Sequence, residues 1–156
     1  MGHGFFYSED KMEEIKESKT INLEDFFSDD NEKEGIWFEP RIDGEPCGIE
    51  FLVTGAGADE NLIENERYEK DMDAANEIKD QKERVNKKKE IDANRIAALV
   101  KGIRSADGST IMYGGKPLEY SVPTIRKLML KSPLIKLEIM KFSVKTSNFI
   151  KREKND

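Results

Sequence analysis

The sequence predicts a mainly α fold: a compact helical domain with a short N-terminal β-hairpin and a long charged helix. Three observations lead there. Residues 60–89 contain neither Gly nor Pro and are mostly Glu, Lys, Asp, Asn, Arg and Ala, a composition that favours helix. Two strand-like runs, Ile36-Trp37-Phe38-Glu39 and Gly48-Ile49-Glu50-Phe51-Leu52-Val53, flank an Asp43-Gly44 turn signal. Two apolar segments in the last third each open on a proline, Pro123 and Pro133, as helix first turns often do.

Residues 1–34 are expected to form an acidic, largely flexible N-terminal arm. Residues 28–34 have almost nothing to bury and read as a linker. Before them, Phe5-Phe6-Tyr7 and then Ile21, Leu23, Phe26 and Phe27 make short apolar clusters in a charged background, the pattern of a segment that docks weakly or folds on a partner. Residues 9–17 are compatible with a short helix. Residues 35–150 then form a single mainly helical domain that opens with the hairpin, residues 35–53. Pro40 and Pro46 at the inner ends of its strands shorten the ladder they can make.

Thr54-Gly55-Ala56-Gly57-Ala58-Asp59 punctuates the exit from the second strand, and Asp59 or Asn61 can cap the long helix. Its apolar positions are sparse: Leu62, Ile63, Tyr68, Met72, Ala75, Ile78 and Val85, joined mostly by spacings of 3, 4 and 7. Ile91, Arg95, Ile96, Leu99, Val100 and Ile103 continue as a better-defined helix that ends near residues 102–105. Asp107-Gly108-Ser109 and Gly114-Gly115 are turns, with a short extended piece between them. Ser121 or Val122 with Pro123 starts a helix whose face is Ile125, Leu128 and Met129. Ser132-Pro133 starts another, apolar on most sides and expected to be central and buried. Residues 151–156 are a charged tail.

The chain of 156 residues fits one modest domain, and with 37% apolar and 37% charged residues its core must come from few segments. A lone Cys47 excludes an intramolecular disulfide. With His3 as the one imidazole, it leaves no soft-ligand set for structural zinc. No secretory leader pattern and no apolar run long enough for a membrane helix is present, so an intracellular protein with no membrane partner is expected. The net charge of −6 is unevenly spread. Residues 1–50 hold 15 acidic and 5 basic side chains, whereas residues 101–156 hold 5 acidic and 12 basic ones. Segregated surface charge, or an acidic start that folds back on the basic end, explains this as well as a partner of opposite sign does.

Few residues suggest chemistry. Gly55-Ala56-Gly57 lies between a strand and a helix, where backbone N–H groups could cradle a phosphate. A third glycine is missing, however, and Asp59, Glu60 and Glu64 would repel the ligand. A plain strand-to-helix turn is the better reading. The carboxylates lie in runs typical of a solvated face, and Asp71, Asp73, Glu77 and Asp80 have Lys70 and Lys79 among them and no loop glycine suited to calcium. The lysines at 87–89 and the basic C-terminal third could meet phosphates, but the acidic chain and the scarcity of interleaved aromatics argue against nucleic acid. No catalytic, cofactor-binding or metal-ligating residue is predicted, and the chain is expected not to be an enzyme.

In order along residues 35–150 come Gly35-Ile36-Trp37-Phe38, a charged helical middle, the run from Arg95 to Ile103, Asp107-Gly108, Leu118-Glu119-Tyr120-Ser121, residues 128–133, Phe142, and Ser147-Asn148-Phe149-Ile150. Taken together this order resembles the tail assembly chaperones of long-tailed phages. The resemblance implies an all-α or mainly α domain that coats the tape measure protein and recruits tail tube subunits in the host cell cytoplasm. It also implies absence from the mature virion and no catalytic residues or cofactors. Self-association stays open. A chaperone for a long helical client should expose an amphipathic groove, and Ile125, Leu128, Met129, Phe142 and Phe149 are the candidate client-binding residues. The competing expectations are a structural virion protein of tail, neck or baseplate, and an acidic nucleic-acid mimic, which the basic C-terminal third disfavours.

Overall fold

The computed structural model describes residues 20–150, of which 54% are helical and 17% strand, so the mainly helical class holds at that level. The elements run α1 (Asp29–Glu34), β1 (Ile36–Phe38), β2 (Arg41–Ile42), β3 (Glu45–Pro46), β4 (Ile49–Val53), α2 (Asp59–Asn76), α3 (Gln81–Ala97), β5 (Val100–Ser105), β6 (Met112–Tyr113), β7 (Lys116–Pro117), α4 (Val122–Lys131) and α5 (Pro133–Val144). Short 3-10 turns, Leu23–Phe26 and Thr146–Phe149, lie at either end. The Phe5-Phe6-Tyr7 cluster, the short helix considered at residues 9–17 and the tail at 151–156 lie outside the described residues.

In place of a free-standing hairpin there is a three-stranded antiparallel sheet of order β1-β4-β5. Ile36 pairs with Val53 and Phe38 with Phe51, while Phe51 pairs on its other side with Ile103. A register shift between Leu52 and Val53 brings Val100 opposite Val53, so one face carries the apolar row. The loop between β1 and β4 holds its own two-residue ladder, β2 with β3, closed by Asp43 and Gly44 at φ 53° and 81°. Two successive positive φ values suit the twist of a two-residue hairpin, and Asp-Gly tolerates them.

The charged helix expected over residues 60–89 is two helices. Asn76 ends α2, and the Asp80 side chain accepts a hydrogen bond from Glu83 N–H at 2.8 Å to cap α3, while Arg84 Nη1 donates to Ile78 O at 2.9 Å. A helix this polar gains little by staying single. Folding back buries Ala75 and sets the Arg95 guanidinium 4.6 Å from the Tyr68 ring centre. Residues 100–105, expected to end a helix, form β5 instead. Val100 and Ile103 are β-branched, and Gly102 is needed where a Cβ would come within 3.1 Å of Trp37 Cη2.

The helices cover one face of the sheet. Phe51, Val53 and Val100 meet Ala93, Ile96, Ala97 and Leu99 around α3, Ile125 and Met129 from α4, and Ile139 from α5. Ser121 and Ser132 cap α4 and α5, accepting from Thr124 N–H and Ile135 N–H at 3.2 and 3.3 Å, with Pro123 and Pro133 in the first turns. The expectation that α5 is buried all round is corrected: Ile139 and Ser143 are buried, whereas Leu134, Leu137 and Val144 are exposed. α5 has one layer of neighbours, so only one of its apolar stripes is covered.

Residues 28–34, read from sequence as a linker, form the docked helix α1. Glu32 O accepts from Gly55 N–H at 2.8 Å, and Asn31 Nδ2 donates to Phe149 O at 3.1 Å. The Glu32 side chain lies over the turn before α2. A Cβ on Gly55 would sit 2.5 Å from its Cγ, and one on Gly57 2.8 Å from its Oε2. Both glycines therefore make room for an acidic side chain, and a carboxylate already sits against Gly57 where the phosphate reading needs an anion.

Candidate partner-binding surfaces

The five residues expected to meet a client come together inside the protein. Ile125 and Met129 are 1% exposed and Phe149 is fully buried, while Leu128 and Phe142 are partly buried against the same core. The Phe142 ring stacks on Phe38 with centroids 4.3 Å apart and meets Phe149 edge-on at 5.4 Å, tying the C-terminal turn to β1. These residues are corrected to core: the i, i+3, i+4 stripe of α4 packs inward against α3 and α5, which takes Ile125 and Met129 out of a partner's reach in the folded chain.

A different set lines the surface. Beside the first turns of α2, a groove of about 340 Å³ runs between that helix, β5 and the start of α4. Ile63, 60% exposed, lines it together with Tyr120, Val122, Ala97 and Ala98, and Glu60, Glu64, Lys101 and Arg126 supply charge. Tyr120 is fixed by its hydroxyl, which donates to Val100 O at 2.9 Å. Lys101 and Glu60 approach to 3.5 Å with both side chains well exposed, a pair that stabilises by well under about 1 kcal/mol and can separate for a ligand.

The groove wall is anchored by a buried polar node. Asn61 Nδ2 donates to Thr54 Oγ1 at 2.8 Å and to Gly55 O at 2.7 Å, and the Thr54 hydroxyl donates to Leu99 O at 2.9 Å. Ala56 N–H reaches Ser143 O at 2.9 Å. One cluster so ties α2, β4, the turn after α3 and α5 together. Its partners are all satisfied, and it reads as architecture.

The chemistry-bearing side chains are dispersed. A second cleft of about 520 Å³ between α1 and α2 gathers Asp29, Asp30, Glu32, Asp59 and Glu60 with Lys33. Among the described residues, no group of three or more His, Cys, Asp or Glu is placed to hold a metal ion, and no helix is long and apolar enough to cross a membrane. Asp107, held below the ordinary carboxylate pKa by hydrogen bonds from the Ser109 side chain and N–H, lies in an exposed turn. Lys136 and Asp92 pair between α5 and α3.

Sequence reasoning missed Ile63 and Val122 as surface anchors. The signal available was the narrow, weak stripe of α2, too sparse to bury every apolar residue it contains. Compared with protein-family models, curated proteins and solved structures, the chain matches none.

Proposed function

We propose that the chain is a non-catalytic interaction protein, a phage tail assembly chaperone that holds a helical segment of the tape measure protein and brings tail tube subunits to it. The observation that carries this reading is the groove lined by the exposed apolar side chains of Ile63, Tyr120 and Val122, with Glu60, Glu64, Lys101 and Arg126 also along it. An amphipathic client helix lays i, i+3, i+4 anchors into a groove of this kind, and its charged flanks meet Glu60, Glu64, Lys101 and Arg126. The family-like order of motifs over residues 35–150 supports the choice of client. The protein then acts in the host cytoplasm and leaves before the particle is finished.

The test is co-expression with the tape measure protein, followed by affinity capture of this chain carrying Ile63→Asp and Val122→Asp. Both side chains are substantially exposed, so the thermal melt should stay at the wild-type value while capture falls roughly thirtyfold or more. Unchanged capture would remove the groove from the reading. Mass spectrometry of purified particles should find the chain missing. Its presence at stoichiometric level would favour a structural virion protein instead.

A further inference from the structure

We infer that residues 21–27 of one copy dock on the outer face of α4 and α5 of a second copy. The first observation is that Ile21, Leu23, Phe26 and Phe27 are between 51% and 81% exposed, four large apolar side chains within seven residues. This segment is no loose end. It leads directly into α1, which is fastened to the body through Asn31 and Glu32, so the apolar cluster is held at the surface and nothing among the described residues covers it.

The second observation is a face of matching character. Leu130 at the end of α4 and Leu134 and Leu137 on α5 are 41–49% exposed around the Ser132-Pro133 corner, with Lys127, Lys131 and Lys141 exposed among them. Residues 20–34 carry six acidic side chains and one basic; residues 122–144 carry five basic and one acidic, of which Arg126 lines the groove beside α2 and Lys136 pairs with Asp92, leaving Lys127, Lys131 and Lys141 to this face. Each surface thus has an apolar centre and a charged border, and the two borders are of opposite sign. That is the anatomy of a specific interface: apolar anchors inside, a complementary polar rim outside. A third observation selects the occupant. Every chain carries both halves once, and among the described residues neither half covers the other.

Because the two patches differ, a single arm-to-face contact leaves one arm and one face unfilled: reciprocal exchange between two copies closes a two-fold dimer, and without it the contact repeats from copy to copy. The surface is separate from the groove beside α2, and the inference stands whether or not the chain is a chaperone.

The experiment is sedimentation velocity on the full chain from micromolar to near-millimolar concentration. The wild type should gain mass steadily with concentration. An arm variant, Phe26→Ser with Phe27→Ser, and a face variant, Leu134→Ser with Leu137→Ser, should each remain monomeric, with dissociation constants raised roughly thirtyfold or more. Mixed together, the two variants should form a one-to-one dimer and nothing larger, since only one arm and one face remain functional. Should the face variant fold poorly, Lys127→Glu with Lys131→Glu tests the same surface through its charges, and Glu24→Lys with Asp25→Lys in the other copy should restore the pairing. A wild type that is monomeric throughout, an arm variant that associates like the wild type, or a mixture that stays monomeric would each overturn the inference. Dimers of the arm variant alone would show instead that the α4–α5 faces pair with each other.

Discussion

Replacing Asn61 by alanine removes two hydrogen bonds from a residue that is 7% exposed, and the cost can be worked from what remains. Gly55 O keeps the N–H of Ala58 at 3.1 Å, and the Thr54 hydroxyl keeps Leu99 O as its acceptor. No partner is stranded, so the further 1–3 kcal/mol or so that an orphaned buried group costs does not apply. Two bonds at about 1 kcal/mol each give a loss of about 2 kcal/mol, or a fall in Tm of roughly 4–8 °C for a chain of this size. Asn61→Asp should be worse. A carboxylate cannot donate to Gly55 O, and facing that oxygen at close range outweighs the 0.3–1 kcal/mol or so that a negative charge gains in a helix first turn. Urea unfolding followed by far-UV circular dichroism and by the fluorescence of the single tryptophan, Trp37, gives both values. An alanine variant within about 0.5 kcal/mol of wild type, or an aspartate variant more stable than the alanine one, would refute the donor role of Asn61.

Two further perturbations probe the corrected placements. Met129→Asp puts a charge among Phe51, Ile96 and Ile139 and should abolish cooperative folding, at a cost of several kcal/mol, where Ile63→Asp leaves the melt unchanged; a folded Met129→Asp protein with native circular dichroism would contradict the core position. Gly55→Ala should cost about 1–3 kcal/mol by pushing Glu32 off the turn, and a Glu32→Ala background should relieve only the part due to Cγ and beyond, since a Cβ at position 32 stays 2.8 Å away. Strict additivity of the two changes in a thermodynamic cycle would show that the contact is not the reason for the glycine.

How much of this was readable beforehand depends on whether the cause was local. The Asp43-Gly44 turn and the serine caps before Pro123 and Pro133 involve neighbours a few residues apart, and their residue types carry the conformation. β5 was hidden because Ile96, Leu99, Val100 and Ile103 satisfy helical spacing and show no period-two alternation, and the exit at Ala98 and Leu99 holds neither Gly nor Pro. The break between α2 and α3 did leave a trace, Asp80 three residues before Glu83, a helix-start pairing masked by the surrounding charge. The docking of α1 was invisible, because its partners Gly55 and Phe149 are distant in sequence. The partner-binding surfaces were inverted for one reason. A helix apolar on two sides has the composition of a buried one, and Ile125, Leu128 and Met129 form the stripe that faces inward.

The bond from Asn31 to the carbonyl of Phe149 has a consequence for how the body is threaded. The chain enters at α1 and departs after the Thr146–Phe149 turn at the same spot, so residues 28–150 make a closed circuit with its doorway and exit side by side. A unit wired in this way can be carried as an insert in a surface loop of another protein without stretching its host, and pulling on its two ends strains the α1 clasp before any load reaches the sheet.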